Sequence, residues 1–404
     1  MNRFSVRTLS VSLLLLFLSL SVNCDPLTKD ENENRLKTCG KAIQSKVYQG
    51  REAAQSEAPW SVFVNVRRGD LKATQYSSIA CTGTLVSSRH ILTATHCFAE
   101  ISDAGWDTII EATHDPSNCR GNDYVIEDSE WLKRIRVVSN KKRIARHPER
   151  VTLLGTCIPR QIASGSRAAY TFDDIAIIDL YEEVEFNENI HSACVSNSTI
   201  ENKNGTELEY FGFGLNPKAA GEAPDPAGKT GTLRYENIKV FKKNYIFTLP
   251  DYYFTAANPE HKTVTCQGDS GGGSVSREDG RTTIVGVLSQ TTCHVVGASI
   301  KNATELYASV GFYAETICEH TGICASSDRH EKHHKDYVRK AKPIRTTEAP
   351  KSRRLNDQMQ GIPDGKRKSV GRRRNGGGAR RRRSFQGIVL SCVLFLKMIL
   401  RMNM

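Results

Sequence analysis

The middle of the chain alternates short apolar runs with turns that contain Gly or Asn. The runs are rich in Val, Ile and Thr, and an early one, Pro59–Val66, has the sequence PWSVFVNV. Runs of this length and composition are typical of β-strands, whereas alternating strands and helices would give a different rhythm. The pattern therefore predicts an all-β fold. The 404 residues, with 39% hydrophobic content, supply one large or two small cores.

Residues 1–24 have the pattern of a secretory signal peptide. Arg3 and Arg7 precede an apolar run over residues 9–20 that is too short to span a bilayer, and small residues follow it. We expect cleavage between residues 21 and 24 and secretion of the protein. An uncleaved membrane anchor is the alternative. Twelve cysteines on a secretory route imply disulfide bonds.

The end of the chain is strongly basic. Residues 329–404 contain 22 Lys or Arg and 5 Asp or Glu, so the net charge of +12 belongs to this tail. Residues 326–386 are expected to be a disordered, solvated tail. Its charge suits an anionic surface, but it lacks the interleaved aromatic residues of a specific nucleic-acid partner. Its histidines are expected to be solvated, and no metal or cofactor is expected in the protein.

Residues 387–404 form a short apolar segment that Lys397 interrupts. The uninterrupted apolar length is below the roughly 20 residues of a membrane-spanning helix. Together with the small residues Gly376–Gly378 and the spacer after them, the segment has the outline of a signal for a C-terminal lipid anchor. Lipid anchoring and fully soluble secretion both stay open.

Candidate chemistry begins with Cys266–Gly272, which reads CQGDSGG. A serine hydroxyl is a poor nucleophile at neutral pH, so a chain that uses one must supply a base and a site for developing negative charge. Gly268 and Gly271 flank Ser270, and glycine permits a tight turn that directs amide N–H groups to one point. The motif therefore predicts a nucleophilic serine beside an oxyanion hole.

Two further segments of the chain contain candidate partners for this serine. Residues 81–97 end in TATHC, which contains His96, and residues 172–180 read FDDIAIIDL. Together the three segments resemble the histidine, aspartate and serine segments of the chymotrypsin-like (trypsin-like) serine proteases. The resemblance implies that His96 is the general base for Ser270 and that Asp174 orients the imidazole. We choose Asp174 over Asp173 because the family's aspartate directly precedes the apolar run.

The resemblance also implies an architecture and an activation step. The fold would be two antiparallel β-barrels with a short C-terminal helix, and the backbone amides of Gly268 and Ser270 would bind the oxyanion. A propeptide would cover residues 25–46 and the protease domain residues 47–325. Cleavage after Lys46 would free the amino group of Val47, which would pair with the buried carboxylate of Asp269.

Alignment with the family locates three positions of the specificity pocket. Val264 stands where trypsin has the aspartate that binds Arg or Lys, and Thr291 stands where a wide pocket has glycine. These two residues favour a small or medium apolar residue before the scissile bond. Glu305 falls on the far wall of the pocket, where an acid could recruit a basic side chain. Both preferences stay open at this point.

The family's disulfide pattern and three sequons complete the expectations. Two bridges lie beside the histidine and the pocket, a third tethers the propeptide, and two more link the remaining cysteines. The pairs are Cys81–Cys97, Cys266–Cys293, Cys39–Cys194, Cys119–Cys157 and Cys318–Cys324. Asn197, Asn204 and Asn302 begin glycosylation sequons.

The sequence thus predicts a secreted serine endopeptidase that acts through an acyl-enzyme intermediate. Its expected partners are a protein or peptide substrate, an activating protease, serine protease inhibitors and an anionic surface for the tail. The alternative is a non-catalytic homologue that keeps the barrels as an extracellular binding module. After Val47 the chain has Tyr48 and Gln49, whereas the family's new N-terminus is usually two apolar residues followed by two glycines. This departure and the altered pocket favour the alternative, whereas the intact triad favours the enzyme.

Overall fold

The computed structural model describes the part of the chain that contains the three motifs. Several predicted features lie outside the described residues: the signal peptide 1–24, Lys46 and Val47, Asn302, the tail 326–386 and the segment 387–404. The described residues are 26–41, 52–74, 77–102, 105–110, 112, 115–139, 142–144, 148–157, 160–161, 170–171, 173–215, 231–241, 251–261, 263–291, 293 and 303–325.

β-strands make up most of the regular structure. The strands of the described residues are β1 (Ser61–Arg67), β2 (Ser78–Leu85), β3 (His90–Thr93), β4 (Ala99–Ser102), β5 (Gly105–Ile109), β6 (Cys119–Arg120), β7 (Asp123–Ile126), β8 (Ile135–Ser139), β9 (Lys142–Arg143), β10 (Pro148–Leu153), β11 (Arg160–Gln161), β12 (Tyr170–Thr171), β13 (Ala176–Leu180), β14 (Cys194–Val195), β15 (Glu207–Gly212), β16 (Arg234–Phe241), β17 (Tyr253–Ala257), β18 (Gly273–Glu278), β19 (Arg281–Thr291) and β20 (Glu305–Ser309). The α-helices are Lys29–Thr38, Ser129–Leu132 and Ala314–Thr321, and the short 3-10 helices are Gln55–Glu57, Thr95–Cys97, Pro116–Asn118 and Ile200–Asn202.

The first barrel is built on a nine-stranded antiparallel sheet in the order β6-β7-β10-β13-β3-β2-β1-β8-β9. Val62, Val64 and Val66 alternate along β1 and are fully buried, because successive side chains of a strand point to opposite faces. Strand β13, with the sequence AIIDL, is buried along its whole length and pairs with β3. The sheet therefore holds the ends of β3 and β13 side by side.

The second barrel contains six strands in the order β19-β18-β15-β16-β17-β20, and pairing between β19 and β20 closes it. The short β14 adds to β19 in parallel. Trp60, just before β1, is fully buried and meets Phe211 of β15 edge to face, with ring centroids 5.8 Å apart. The predicted all-β, two-barrel fold is confirmed.

The helix Lys29–Thr38 lies within the stretch for which the sequence analysis expected only a short propeptide. Thr28 and Glu31 form a reciprocal capping box at its start, which satisfies two backbone donors. The helix is polar, and its buried residues are Asn32 and Arg35. Asn32 Nδ2 donates to the carbonyl of Cys324 at 2.9 Å, so the helix packs against the C-terminal segment.

The C-terminal helix Ala314–Thr321, which the family resemblance implied, ends at Gly322. Gly322 has φ +70°, a left-handed conformation that favours glycine at this cap position. Among the helices of the described residues, none has the length and apolar character needed to cross a membrane.

Five disulfides brace this framework. They join the pairs that the family resemblance implied: Cys39–Cys194, Cys81–Cys97, Cys119–Cys157, Cys266–Cys293 and Cys318–Cys324. The first closes the longest loop, 155 residues, and ties the end of the N-terminal helix to β14. Closing a long loop restricts the unfolded chain most, by about 4–5 kcal/mol in the chain-entropy account.

Candidate active site

His96 lies on the 3-10 turn Thr95–Cys97, directly after β3. Two contacts fix this turn. The hydroxyl of Thr95 donates to the carbonyl of Ile175 at 3.0 Å, and Cys97 is bonded to Cys81 on β2. The imidazole is consequently held where the C-terminal end of β3 meets the start of β13.

Asp174 precedes β13 and makes two hydrogen bonds with His96. Its Oδ2 lies 2.8 Å from His96 Nδ1, and its Oδ1 accepts from the His96 backbone N–H at 3.0 Å. Ser289 also donates to Oδ2, at 2.6 Å. Asp173 points elsewhere, because its carboxylate accepts from the hydroxyl of Tyr313.

The pair shifts the pKa values of both groups. Burial alone would lower the pKa of His96, but the nearby charge and hydrogen bond of Asp174 outweigh burial and raise it above its ordinary value. Burial alone would raise the pKa of Asp174, but His96 and Ser289 outweigh it and hold the pKa low. The carboxylate therefore stays ionised and accepts a hydrogen bond from Nδ1–H. In the neutral ring Nε2 then carries no proton and can accept one.

The turn that carries Ser270 lies against the strands that lead to His96. The backbone N–H of Thr82 donates to the carbonyl of Ser270 at 2.8 Å. Gly271 has φ +82°, and a Cβ on it would be 2.2 Å from Thr93 Oγ1 and 2.8 Å from the amide of Ala94, so only glycine allows this approach. Ser270 is half-buried, and its hydroxyl makes no hydrogen bond to any described residue.

Two backbone amides of the serine turn differ from their neighbours in hydrogen bonding. Within the described residues, the N–H groups of Gly268 and Ser270 have no acceptor, whereas those of Asp269, Gly271 and Gly272 donate to backbone carbonyls. Gly268 adopts φ +99°. Unused donors at the rim of a half-buried site are what the binding of a developing oxyanion requires.

Asp269 is a buried carboxylate with amide donors but no ion pair in the described part of the chain. Gly214 N–H donates to its Oδ1 and Cys266 N–H donates to its Oδ2, both at 2.8 Å. Burial raises the pKa of Asp269 to about 7, against these two hydrogen bonds. A carboxylate in this setting gains most from a cation that enters the site.

Two further buried acids, Glu236 and Glu305, lie near Asp269. Glu236 accepts from the hydroxyl of Thr263 at 2.8 Å, and burial followed by the charge of Glu305 raises its pKa well above the ordinary value. Asp269 and Glu236 both line a cavity of about 40 Å³. A single water needs about 10–15 Å³ by this measure, so the cavity has room for a small cationic group.

The three positions assigned to the specificity pocket lie together. Thr291 pairs with Glu305 across β19 and β20, and its hydroxyl donates to the carbonyl of Thr265, next to Val264. Glu305 is only 1% exposed. Its Oε1 accepts from Thr265 N–H at 2.8 Å and its Oε2 from the hydroxyl of Tyr307 at 2.7 Å, and burial raises its pKa.

The other predicted sites have simple surroundings. Asn197 and Asn204 are exposed. Among the described residues, one His and Cys grouping has metal-like spacing, Cys81, His96 and Cys97. Both of its sulfurs are bonded in a disulfide, so they are not the thiolates that bind metals.

Sequence reasoning gave no role to three polar residues near the site: Ser289, Glu236 and Thr82. Ser289 donates to Asp174. The hydroxyl of Thr82 donates to the carbonyl of Gly268 at 2.9 Å and accepts from the N–H of Phe213. Thr82 therefore anchors the glycine turn. All three contact residues far away in the chain, so no local pattern reveals these contacts.

Comparison with known proteins places the chain among proteases. The sequence model of the nematode trypsin-6-like family matches residues 9–324. The trypsin-like protease try-5 of Caenorhabditis elegans is 29% identical over 229 residues, which cover 54% of this chain and 67% of that protein. Human serine protease 41 is 26% identical over 272 residues, covering 63% of this chain and 71% of its own length. The CLIP domain-containing serine protease B14 of Anopheles gambiae is 24% identical over 273 residues, covering 62% and 66%.

Substitution of Ser289 by Ala tests whether this hydroxyl stabilises the buried charge of Asp174. We expect Ser289→Ala to lower the free energy of unfolding by about 1.5–3 kcal/mol, because it removes a hydrogen bond to an ionised group. Urea denaturation near neutral pH measures the change. Ser274→Ala is the matched control, since its buried hydroxyl makes only a 3.4 Å bond to a backbone carbonyl. Equal losses in the two variants would contradict a role for Ser289 in holding the charge.

Proposed function

The chain belongs to the nematode trypsin-6-like family, and on that premise we propose that it is a secreted serine endopeptidase with His96, Asp174 and Ser270 as its catalytic triad. The observation that carries the proposal is the doubly hydrogen-bonded pair of Asp174 and His96. The carbonyl of Ser270 lies 4.0 Å from the sulfur of Cys97, the residue after His96, and the Ser270 hydroxyl makes no hydrogen bond to the described residues. The free amides of Gly268 and Ser270 support the same reaction.

The proposed reaction begins with a proton transfer. Ser270 Oγ attacks the carbonyl carbon of the scissile peptide bond while His96 Nε2 takes the hydroxyl proton. Charge builds on the carbonyl oxygen, and the amides of Gly268 and Ser270 donate to it. The imidazolium then gives its proton to the leaving amine, and an acyl-enzyme remains. Water attacks the acyl group through the same base, which releases the acid product and restores Ser270.

Asp174 contributes to this cycle without changing its own protonation state. It holds the tautomer that exposes Nε2 and stabilises the imidazolium that forms. In apo serine proteases the bond from the serine to the histidine is often long and tightens when substrate binds. A free Ser270 hydroxyl is therefore compatible with this role.

Activation is proposed to follow cleavage after Lys46. The new ammonium group of Val47 would enter beside Asp269, whose burial and neighbouring acids favour a cation. Cys39–Cys194 would keep the N-terminal helix attached to the cleaved protein. An activating protease and protein inhibitors are the partners that this scheme implies.

For the residue before the scissile bond we propose a small or medium uncharged side chain. Val264 supplies no charge at the position that binds basic residues in trypsin, and the β-branched Thr291 narrows the pocket. Glu305 is buried, and each of its carboxylate oxygens already accepts an internal hydrogen bond. These contacts hold Glu305 as a structural acid.

The proposed site of action is extracellular. The signal-peptide pattern of residues 1–24 supports secretion, the five disulfides suit an oxidising compartment, and exposed Asn197 and Asn204 suit glycosylation. The basic tail would bind anionic surfaces.

Labelling by a fluorophosphonate tests catalytic competence. We expect the protein cleaved after Lys46 to form a covalent adduct at Ser270, because His96 activates that hydroxyl. Ser270→Ala should abolish the adduct, Ser274→Ala should retain it, and Lys46→Gln should keep the chain uncleaved and unlabelled. Mass spectrometry of the tryptic peptides locates the label. Cleaved protein that stays unlabelled would favour the non-catalytic binding module.

The pH dependence of stability tests the state of Asp269 before activation. Its pKa is about 7 in the folded chain and 3.8 in its ordinary state, so the folded chain keeps a proton that the unfolded chain loses. Stability of the uncleaved protein should therefore fall as the pH rises from about 4 to 7.

Asp269→Asn should remove the fall in stability that this carboxyl causes. Cleavage after Lys46 should remove it too, because pairing with the ammonium of Val47 lowers the pKa of Asp269. Melting temperatures across the pH range measure the effect, with the exposed Asp279→Asn as the control. The same slope in the Asp269→Asn variant and the wild type would refute the assignment.

Peptide libraries test the proposed specificity. Cleavage after uncharged residues should exceed cleavage after Lys or Arg by at least about 100-fold, because burying a charged side chain without a counterion costs several kcal/mol. Glu305→Gln should leave the order of preference unchanged. If instead Glu305→Gln selectively abolishes cleavage after Lys or Arg, Glu305 recruits basic side chains and the preference proposed above is wrong.

A further inference from the structure

A second cavity, which none of the triad residues lines, lies beside the N-terminal helix. Its volume is about 140 Å³, roughly ten times the space that one water needs by the same measure. Its walls come from three parts of the chain: the N-terminal helix, the segment after β14, and the C-terminal helix with the residues that follow it. Among the lining residues are Arg35, Cys194, Ser196, Glu315, Cys318 and Cys324.

Arg35 brings a positive charge to this cavity. It is 7% exposed, and among the described residues its side chain makes one hydrogen bond, from Nε to Asn32 Oδ1 at 3.0 Å. Its Nη1 is buried without a hydrogen-bond partner, and no carboxylate of the described residues forms an ion pair with it. Burial lowers the pKa of Arg35 to about 10, which still leaves the guanidinium charged at neutral pH.

A buried charge without a counterion is costly. Proteins pair buried guanidinium groups with carboxylates or other anions, because desolvation of an isolated ion costs several kcal/mol. Arg35 has five N–H donors and uses one of them on a neutral amide oxygen. The remaining donors suit the oxygens of an anion, and guanidinium pairs with such oxygens in a bidentate fork.

The surrounding contacts hold the guanidinium in place. Asn32 accepts from Arg35 Nε and donates to the carbonyl of Cys324, so it links the side chain to the C-terminal segment. Disulfides Cys39–Cys194 and Cys318–Cys324 brace two walls of the cavity. Arg281 fixes the end of the helix by donating to the carbonyl of Leu36 at 2.6 Å. The site is thus built before any ligand enters.

We propose that this cavity binds a small oxyanion, for which sulfate is the probe, through the guanidinium of Arg35. The ligand supplies the missing negative charge between the N-terminal and C-terminal helices. Binding stabilises the docked N-terminal helix both before and after cleavage at Lys46, because the disulfide to Cys194 retains the helix. This site does not depend on catalysis at Ser270.

Glu315 offers a competing source of negative charge. It lines the same cavity, and its side chain is exposed. If Glu315 were the counterion, Glu315→Gln would destabilise the sulfate-free protein, because it would leave the guanidinium without a partner. If sulfate is the counterion, Glu315→Gln leaves the stability of the sulfate-free protein unchanged, removes a repelling charge at the rim and tightens sulfate binding.

Melting temperature against sulfate concentration, at constant ionic strength set with sodium chloride, tests the site on the full secreted chain. Sulfate stabilises most proteins gradually by exclusion from their surface. The wild type should show an additional saturable rise of about 3–6 °C at 20 times Kd. Arg35→Met should lose that rise, whereas Arg120→Met should keep it, because Arg120 is exposed and does not line this cavity.

Equal sulfate responses in the wild type and Arg35→Met would overturn the proposal, as would a larger response in wild type than in Glu315→Gln. If Arg35→Met does not fold, a measurement on the wild type alone still tests the proposal. Crystals soaked in sodium selenate should show anomalous density within hydrogen-bonding distance of the Arg35 guanidinium. Selenate density absent from this cavity would also overturn the proposal.

Discussion

Contact between a buried carboxylate and an imidazole governs the geometry of the candidate site. Asp174 meets His96 with both oxygens, one to the ring and one to the backbone, so the ring has little freedom to rotate. Burial strengthens the attraction, because fewer water molecules screen it. A buried aspartate left without these donors would be destabilising, and Ser289 from the second barrel supplies the third.

The rest of the framework keeps the two barrels in register around this pair. Pairing of β3 with β13 fixes the distance between the segments that carry His96 and Asp174. Thr82 bridges to the serine turn twice, once through its backbone and once through its hydroxyl. Gly271 allows the turn to lie directly on β3. The position of Ser270 thus follows from backbone contacts, which leave its hydroxyl uncommitted.

Much of this architecture could be predicted from the sequence, because local patterns and motifs carried it. Apolar runs of strand length indicated the all-β fold, and three motifs indicated the chymotrypsin-like serine protease family, which the family match confirms. The helix Lys29–Thr38 escaped prediction because it buries Asn32 and Arg35 and therefore has no apolar stripe. Thr28 and Glu31, at capping-box spacing, were the signal that could have identified its start.

Contacts between distant residues set the limit of sequence reasoning. Ser289 meets Asp174 across 115 residues, and no pattern near either position indicates it. The acids near Asp269 are ordinary surface residue types, and only the fold buries Glu236 and Glu305 together. Arg35 is likewise a common helix residue whose unpaired burial appears only in three dimensions.

Nitrogen NMR of histidine-labelled protein tests the central interaction most directly. If the Asp174 and His96 pair organises the site, the neutral ring of His96 keeps its proton on Nδ1, and its pKa lies above 6.5. The pKa should then fall in Asp174→Asn, which removes the charge that raises it. An unchanged pKa in the variant, or a neutral ring with its proton on Nε2, would contradict the account.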